Sequence, residues 1–185
     1  MRLFIAIDLP DAWRELLSKP QDAIGWLGRG VKWVDPRGTH LTLKFLGEVS
    51  PGLLDAVKEG TSDACRHFPS FMMSMRGTGV FPDPKRPRVY WVGLQAPETL
   101  LALQEEIERE MEALGFEREQ RKFNPHLTLA RIKEPAGKQR MTEALLNYQI
   151  MSEPMRVTQT VLMRSHLSED GARYEPLAYF PLTEV

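Results

Sequence analysis

The tetrapeptide His-Leu-Thr-Leu occurs twice, at His40 and at His126, an offset of 126 − 40 = 86 in a chain of 185 residues. Each copy lies in a Pro-free apolar run, H-L-T-L-K-F-L and H-L-T-L-A-R-I, and both runs read as strands. Successive side chains on a strand face opposite ways, so Leu41, Leu43 and Phe45 share one face while His40, Thr42 and Lys44 share the other. A single polar stripe is the ordinary solvated side of an antiparallel sheet. Two matched stripes half a chain apart predict two equivalent strands whose His-Thr faces look at each other across a cleft. Arg131 falls on the far face of the second strand under strict alternation, and it needs a bulge or the strand end to turn inward.

The rest of the chain sets this pair in a soluble α+β frame. Short apolar runs at 3–9, 31–34, 71–75, 78–81 and 89–94 read as strands, with the middle pair broken at Gly77. A helix is expected from Asp11 as its cap, carrying Trp13, Leu16 and Leu17, and a second after Ser50-Pro51. The clearest helix starts at Pro97-Glu98, places Leu100, Leu103, Ile107, Met111 and Leu114 at three- and four-residue steps, and stops at Gly115. A shorter one is expected over 139–146, and two strands at 155–163 and 174–182 close the chain around a turn at Gly171. No linker or low-complexity tract divides 1–185. The expected fold is α+β and bilobal: two pseudo-symmetric halves of antiparallel sheet packed on helices, with both motifs in a central cleft.

Bulk properties narrow the function classes. A net charge of −1 and a pI near 6.4 exclude a protein that coats nucleic acid by overall charge, so an anionic ligand must be held locally. Cys65 is the only cysteine, which rules out an intrachain disulfide and suits a reducing compartment. The first apolar run ends at Asp8, too soon for a signal peptide or membrane span, and the expected location is the cytoplasm.

Two facing His-x-Thr strands fit one chemistry closely. Displacement at a phosphodiester phosphorus wants a base on one side, an acid on the other, and donors to the equatorial oxygens. Histidine titrates near neutrality and can take either proton-transfer role, and Thr42 and Thr128 can donate to the non-bridging oxygens. Lys44 on the His40 face, Arg131 and Phe123 are the further candidates for substrate contact. For Phe123, core packing competes with stacking on a base. The basic loop Lys85-Arg86-Arg88 reads equally as an RNA-steering element or a solvated turn, whereas His67 reads as structural and His166 as a loop or strand-end residue. Neither motif carries a second histidine or a carboxylate at ligand spacing, and no phosphate-cradling glycine loop is present, so no metal and no cofactor is expected.

At these residues the chain resembles the 2H phosphoesterases. H-L-T-L-K-F-L-G-E and F-N-P-H-L-T-L-A-R are similar to the paired signatures of the RNA 2′,3′-cyclic phosphodiesterases, also known as 2′-5′ RNA ligases. The likeness extends through R-L-F-I-A-I-D-L-P, G-V-F-P-D-P-K-R-P-R-V-Y-W-V-G and Y-E-P-L-A-Y-F-P-L. One departure is Arg37-Gly38-Thr39, where many relatives carry Glu-Asn-Leu or similar, and it concerns contacts at the lip of the site. The resemblance implies a pseudo-twofold bilobal fold and metal-independent hydrolysis of an RNA 2′,3′-cyclic phosphate end to a 2′-phosphate. In that reading His126 is the expected base and His40 the expected acid. The implied partner is such an RNA end or a related nucleotide, with no membrane, and the chain acts as a monomer. Two alternatives stand beside it: reversible 2′-5′ RNA joining at the same site, and a non-catalytic module that binds RNA ends.

Overall fold

A computed structural model of the chain describes residues 1–28, 30–134, 138–168 and 171–184. In chain order the elements are β1 (Arg2–Ile7), α1 (Asp11–Ile24), β2 (Val31–Trp33), β3 (Leu41–Glu48), α2 (Leu54–Cys65), β4 (Phe71–Phe81) and β5 (Val89–Gln95). Then follow α3 (Glu98–Ala113), β6 (His126–Ile132), α4 (Gln139–Leu146), β7 (Met155–Val157), β8 (Gln159–Ser168) and β9 (Gly171–Pro181). The expected α+β class and its helices are present, with local differences; Ser50-Pro51 open a 3₁₀ turn, and α2 follows it from Leu54. Pro10, not Asp11, is the residue before the first helix, and Asp11 sits in its first turn, where the helix dipole favours an acid. The run 71–81 is one strand that bends at Gly77, whose φ of 72° lies in the left-handed region, and is not broken there. The expected closing strand 155–163 divides at Thr158 into β7 and β8, which join different sheets, and Gly171, expected in the turn, begins β9; residues 169–170 lie outside the described residues.

Two antiparallel sheets result, in the orders β3-β1-β8-β9 and β2-β6-β5-β4-β7. They are not simply the two halves of the sequence. Each half repeats strand, helix, motif strand, helix, strand: β1, α1, β3, α2, β4 in the first and β5, α3, β6, α4, β8 in the second. The motif strand pairs within its own half, β3 on β1 and β6 on β5. The last strand crosses over, so that β8 completes the first sheet on β1 and β4 completes the second on β5. One apolar core runs through both sheets and the helices, joining Leu3, Ile5 and Ile7 of β1 to Met73 of β4, Leu127 and Leu129 of β6, and Leu103 and Ile107 of α3. Burial of each such side chain contributes roughly 1.5–3 kcal/mol.

Both motif strands carry a β-bulge just after their threonine. On β3, Thr42 pairs with Ala6 and Lys44 with Ile5, leaving Leu43 as the extra residue. On β6, Thr128 pairs with Trp91 and Ala130 with Tyr90, leaving Leu129. Each freed carbonyl is satisfied from outside the ladder: Gln104 Nε2 donates to Leu43 O at 3.3 Å, and Val34 N donates to Leu129 O at 2.9 Å. The extra residue reverses the alternation beyond it. Phe45, opposite Phe4, and Arg131, opposite Val89, therefore join the faces that carry the histidines and threonines.

The same reversal corrects the expected placement of Lys44. It faces the core opposite Ile5 and is 4% exposed, with its ammonium 2.6 Å from Glu108 Oε2 and 2.5 Å from the carbonyl of Glu117. Glu108 also accepts from Glu119 N and from Gln104, so the carboxylate is fully engaged. The pair fastens the irregular segment 115–125 to β3 and α3, and it commits the Lys44 ammonium to protein partners at the floor of the cleft. Lys44→Met strands a buried carboxylate and is expected to cost about 3–5 kcal/mol in denaturant unfolding. Adding Glu108→Leu should recover a large part of that loss. A double variant as unstable as the sum of the two singles would refute the coupling.

Candidate active site

The two motif strands meet in one open cleft of about 1590 Å³, lined by His40, Thr42, Phe45, Tyr174, His126, Thr128 and Arg131 among others. The approach to each histidine is stiff. Before His40, a 3₁₀ turn at Pro36–Gly38 is closed by Asp35, whose carboxylate accepts from Arg37 N at 2.9 Å. The Arg37 side chain hydrogen-bonded to that carboxylate holds its pKa below the usual value. Before His126, Pro125 fixes one backbone angle, and Pro125 O accepts from Leu94 N at 3.3 Å.

The second imidazole is tied to the backbone two residues upstream. His126 Nδ1 lies 2.7 Å from Asn124 O; since a carbonyl only accepts, Nδ1 carries the proton and Nε2 is left for chemistry. His40 is held by rings instead, with the Gly38 backbone drawing its pKa upward. The His40 ring stacks on Phe4, 4.5 Å between centroids at 23°, and meets Tyr174 edge-on at 4.8 Å. Gly38 leaves room for this arrangement, as a Cβ there would come within 3.1 Å of Tyr174. Burial of His40 among these rings pushes its pKa down from 6.5 to about 4, outweighing the opposing pull of Asp8 and the Gly38 bond. His40 is consequently neutral at physiological pH. His126 has Phe81 at 5.1 Å and Trp91 at 6.3 Å, both presenting edges.

Thr42 and Thr128 are half-buried on the histidine faces, and neither hydroxyl has a protein partner among the described residues. Arg131 is exposed on the same face as His126, delivered by the bulge, and forms no ion pair among the described residues. Phe123 packs half-buried against the core, as one of its two expectations has it, and also lines the cleft. The 82–88 loop keeps Lys85 and Arg86 in solvent, with the Asp83 carboxylate accepting from both of their amides. His67 lies outside the cleft beside Arg66, and His166, inside β8 and not at a strand end, bonds Glu175 at 2.8 Å.

Sequence reasoning missed Phe4, Phe45, Tyr174 and Phe81. Phe45 was hidden because alternation assigned it to the core, yet it is 50% exposed with the Arg2 guanidinium 4.9 Å above its ring. Among the described residues no group of three or more His, Cys, Asp or Glu is placed to hold a metal ion. No helix among them is long and apolar enough to cross a membrane.

Two His-x-Thr strands facing one cleft in a two-half α+β fold define a 2H phosphoesterase. The 2′-5′ RNA ligase superfamily matches residues 10–169, and the chain belongs to it. A Methanothermobacter thermautotrophicus protein named RNA 2′,3′-cyclic phosphodiesterase is 37% identical, with 98% of this chain and 99% of that protein covered. An Archaeoglobus fulgidus protein of the same name is 34% identical over 97% of this chain and 99% of its own. Among solved structures, TT0787 of Thermus thermophilus superposes with a TM-score of 0.80 at 32% identity, covering 98% of both chains. E. coli LigT complexed with 3′-AMP gives 0.78 at 29% identity, again over 98% of each.

The ring-packed, neutral His40 has a consequence for stability. Its folded pKa of about 4 lies below the unfolded 6.5, so unfolding takes up a proton between those values. The associated stability is complete above pH 6.5 and is lost as pH falls toward 4. The His40 ring resonances should titrate near 4, and His40→Gln should show a weaker fall in unfolding free energy across that window. Identical pH dependences for the two proteins would contradict the burial argument.

Proposed function

We propose that this chain is an RNA 2′,3′-cyclic phosphodiesterase that opens the cyclic phosphate to a 2′-phosphate without a metal ion. The observation that carries the reading is the convergence of two imidazoles, one fixed by the Asn124 carbonyl and one by aromatic rings, and two threonine hydroxyls without a partner among the described residues on one cleft. The names of the relatives at 34–37% identity support the substrate class.

In this reading the cyclic phosphate lies between the motif strands, with Thr42 and Thr128 donating to its non-bridging oxygens and Arg131 balancing the added negative charge. Water attacks phosphorus as the base takes its proton, the bond from phosphorus to the 3′ oxygen breaks in line, and the acid protonates that oxygen. The products are a 2′-phosphate and a free 3′ hydroxyl. The depressed pKa of His40 favours the neutral imidazole and so the role of base, leaving His126 as the acid. This reverses the assignment expected from the sequence. Phe45, half exposed at the cleft beside Arg2 and the parallel Phe4 ring, is the aromatic group placed to meet the base of the reacting nucleotide.

The test is hydrolysis of a short RNA ending in a 2′,3′-cyclic phosphate, run in EDTA. His40→Ala and His126→Ala should each lose roughly 10²–10⁴-fold in kcat. Replacing the bridging 3′ oxygen by sulfur, which departs without a proton, should restore most of the loss in His126→Ala and little in His40→Ala. The opposite pattern would exchange the two roles. A requirement for divalent ions would remove the metal-free mechanism.

A further inference from the structure

Beside His126 a second recess of about 580 Å³ opens, lined by Arg76, Phe81, Trp91, Gly93, Gln95 and Asn124, with none of the first-motif residues. Its position follows from register. Along β6 the residues on the cleft face run Arg131, Thr128, His126, opposite Val89, Trp91 and Gly93 of β5, and Gln95 extends the same face past His126. His126 and Phe81 line both spaces, so the recess continues the cleft at the end away from Arg131.

The recess exists because the repeat is broken there. Gly93 stands opposite His126, whereas the equivalent place beside His40 follows Ile7 on β1 and holds Asp8, filled by the Arg14 guanidinium at 2.6 Å. Gly93 must stay bare: a Cβ would come within 2.9 Å of Arg76 O and 3.4 Å of the Trp91 ring. Trp91 itself lies flat on Gly79, its cross-strand partner, where a Cβ would come to 2.1 Å. Phe81 packs 5.1 Å from that indole. The aromatic wall is thus fixed before any ligand arrives, which lowers the ordering cost of binding. At the rim Arg76 is exposed and makes no ion pair or side-chain hydrogen bond among the described residues, and Gln95 and Asn124 hold exposed amides.

A rigid aromatic wall, amide donors and acceptors, and a free guanidinium together suit a planar base carrying a phosphate. We propose that this recess is a second-nucleotide subsite, in which Trp91 and Phe81 meet the base of the nucleotide preceding the cyclic phosphate and Arg76 takes its backbone phosphate. The inference rests on the phosphodiesterase reading and deepens it. The enzyme then acts on the ends of RNA chains in preference to free cyclic mononucleotides.

The experiment compares kcat/KM for a nucleoside 2′,3′-cyclic phosphate and for a dinucleotide ending in the same group. Wild type should prefer the dinucleotide, and in Arg76→Gln that preference should fall roughly 10-fold, the worth of one charge-assisted hydrogen bond. Arg109→Gln, which alters a cation on the outer surface of α3, should leave the preference unaltered. An equal fall on both substrates would assign the recess to the reacting nucleotide's own base and overturn the proposal, as would an unchanged preference. Turnover of neither substrate by wild type would count against the phosphodiesterase reading itself. Equilibrium binding of the mononucleotide and dinucleotide 2′-phosphates would then decide the subsite, with Arg76→Gln expected to weaken only the dinucleotide.

Discussion

A strand in strict alternation can aim at a cleft the residues two, four or six places after a histidine, but never the fifth. In both motif strands of this protein the fifth residue is the one that arrives, because Leu43 and Leu129 each add an unpaired step to the ladder. An unpaired step frees a backbone carbonyl, and a buried unsatisfied carbonyl would make the irregularity costly. Gln104 on α3 and the amide of Val34 remove that cost. The directions of Phe45 and Arg131, and the retreat of Lys44 into the core, all follow from these two pinned irregularities.

Repetition supplied the scaffold, and departures from it supplied the division of labour. At the fifth position one half has an aromatic ring and the other a guanidinium. At the fourth, one half buries Lys44 against Glu108 and the other buries Ala130. Beside the histidines, Phe4 stacks on the first ring, whose burial depresses its pKa, while the second ring lies steeply inclined to Phe81 and Trp91. Two copies of one motif thereby acquire different surroundings, which suits a mechanism that needs a base and an acid from the same residue type.

The histidines and threonines were legible in the sequence because exact repetition is visible without a structure, and α3 and α4 because helical periodicity is strong over such runs. Lys44 was misplaced and Phe45 overlooked for one reason: a bulge leaves no mark in composition, and a single inserted residue inverts every assignment after it. Arg131 was accessible as a conditional, since its usefulness required a bulge that the sequence could not display. The crossing of β4 and β8 was also hidden, because the order of elements along the chain is the same whichever sheet receives them. The recess at Gly93 depends on comparing the two halves in three dimensions, where Asp8 fills one place and nothing fills the other.

The crossing of those strands has a mechanical consequence. A polypeptide of half this length, carrying β1, β3 and β4 alone, would have an open edge on β1 where β8 now lies, and a β4 with no partner from β5. Unpaired edges of that kind are satisfied by a strand from elsewhere. The natural completion is a second identical half that gives its own last strand and receives one in return, a reciprocal exchange with twofold symmetry. The present chain is the covalently joined form of that arrangement. Joining the halves frees each copy to change independently, and it is the joined form alone in which Phe4 and Tyr174 can flank one histidine while Phe81 and Trp91 flank the other.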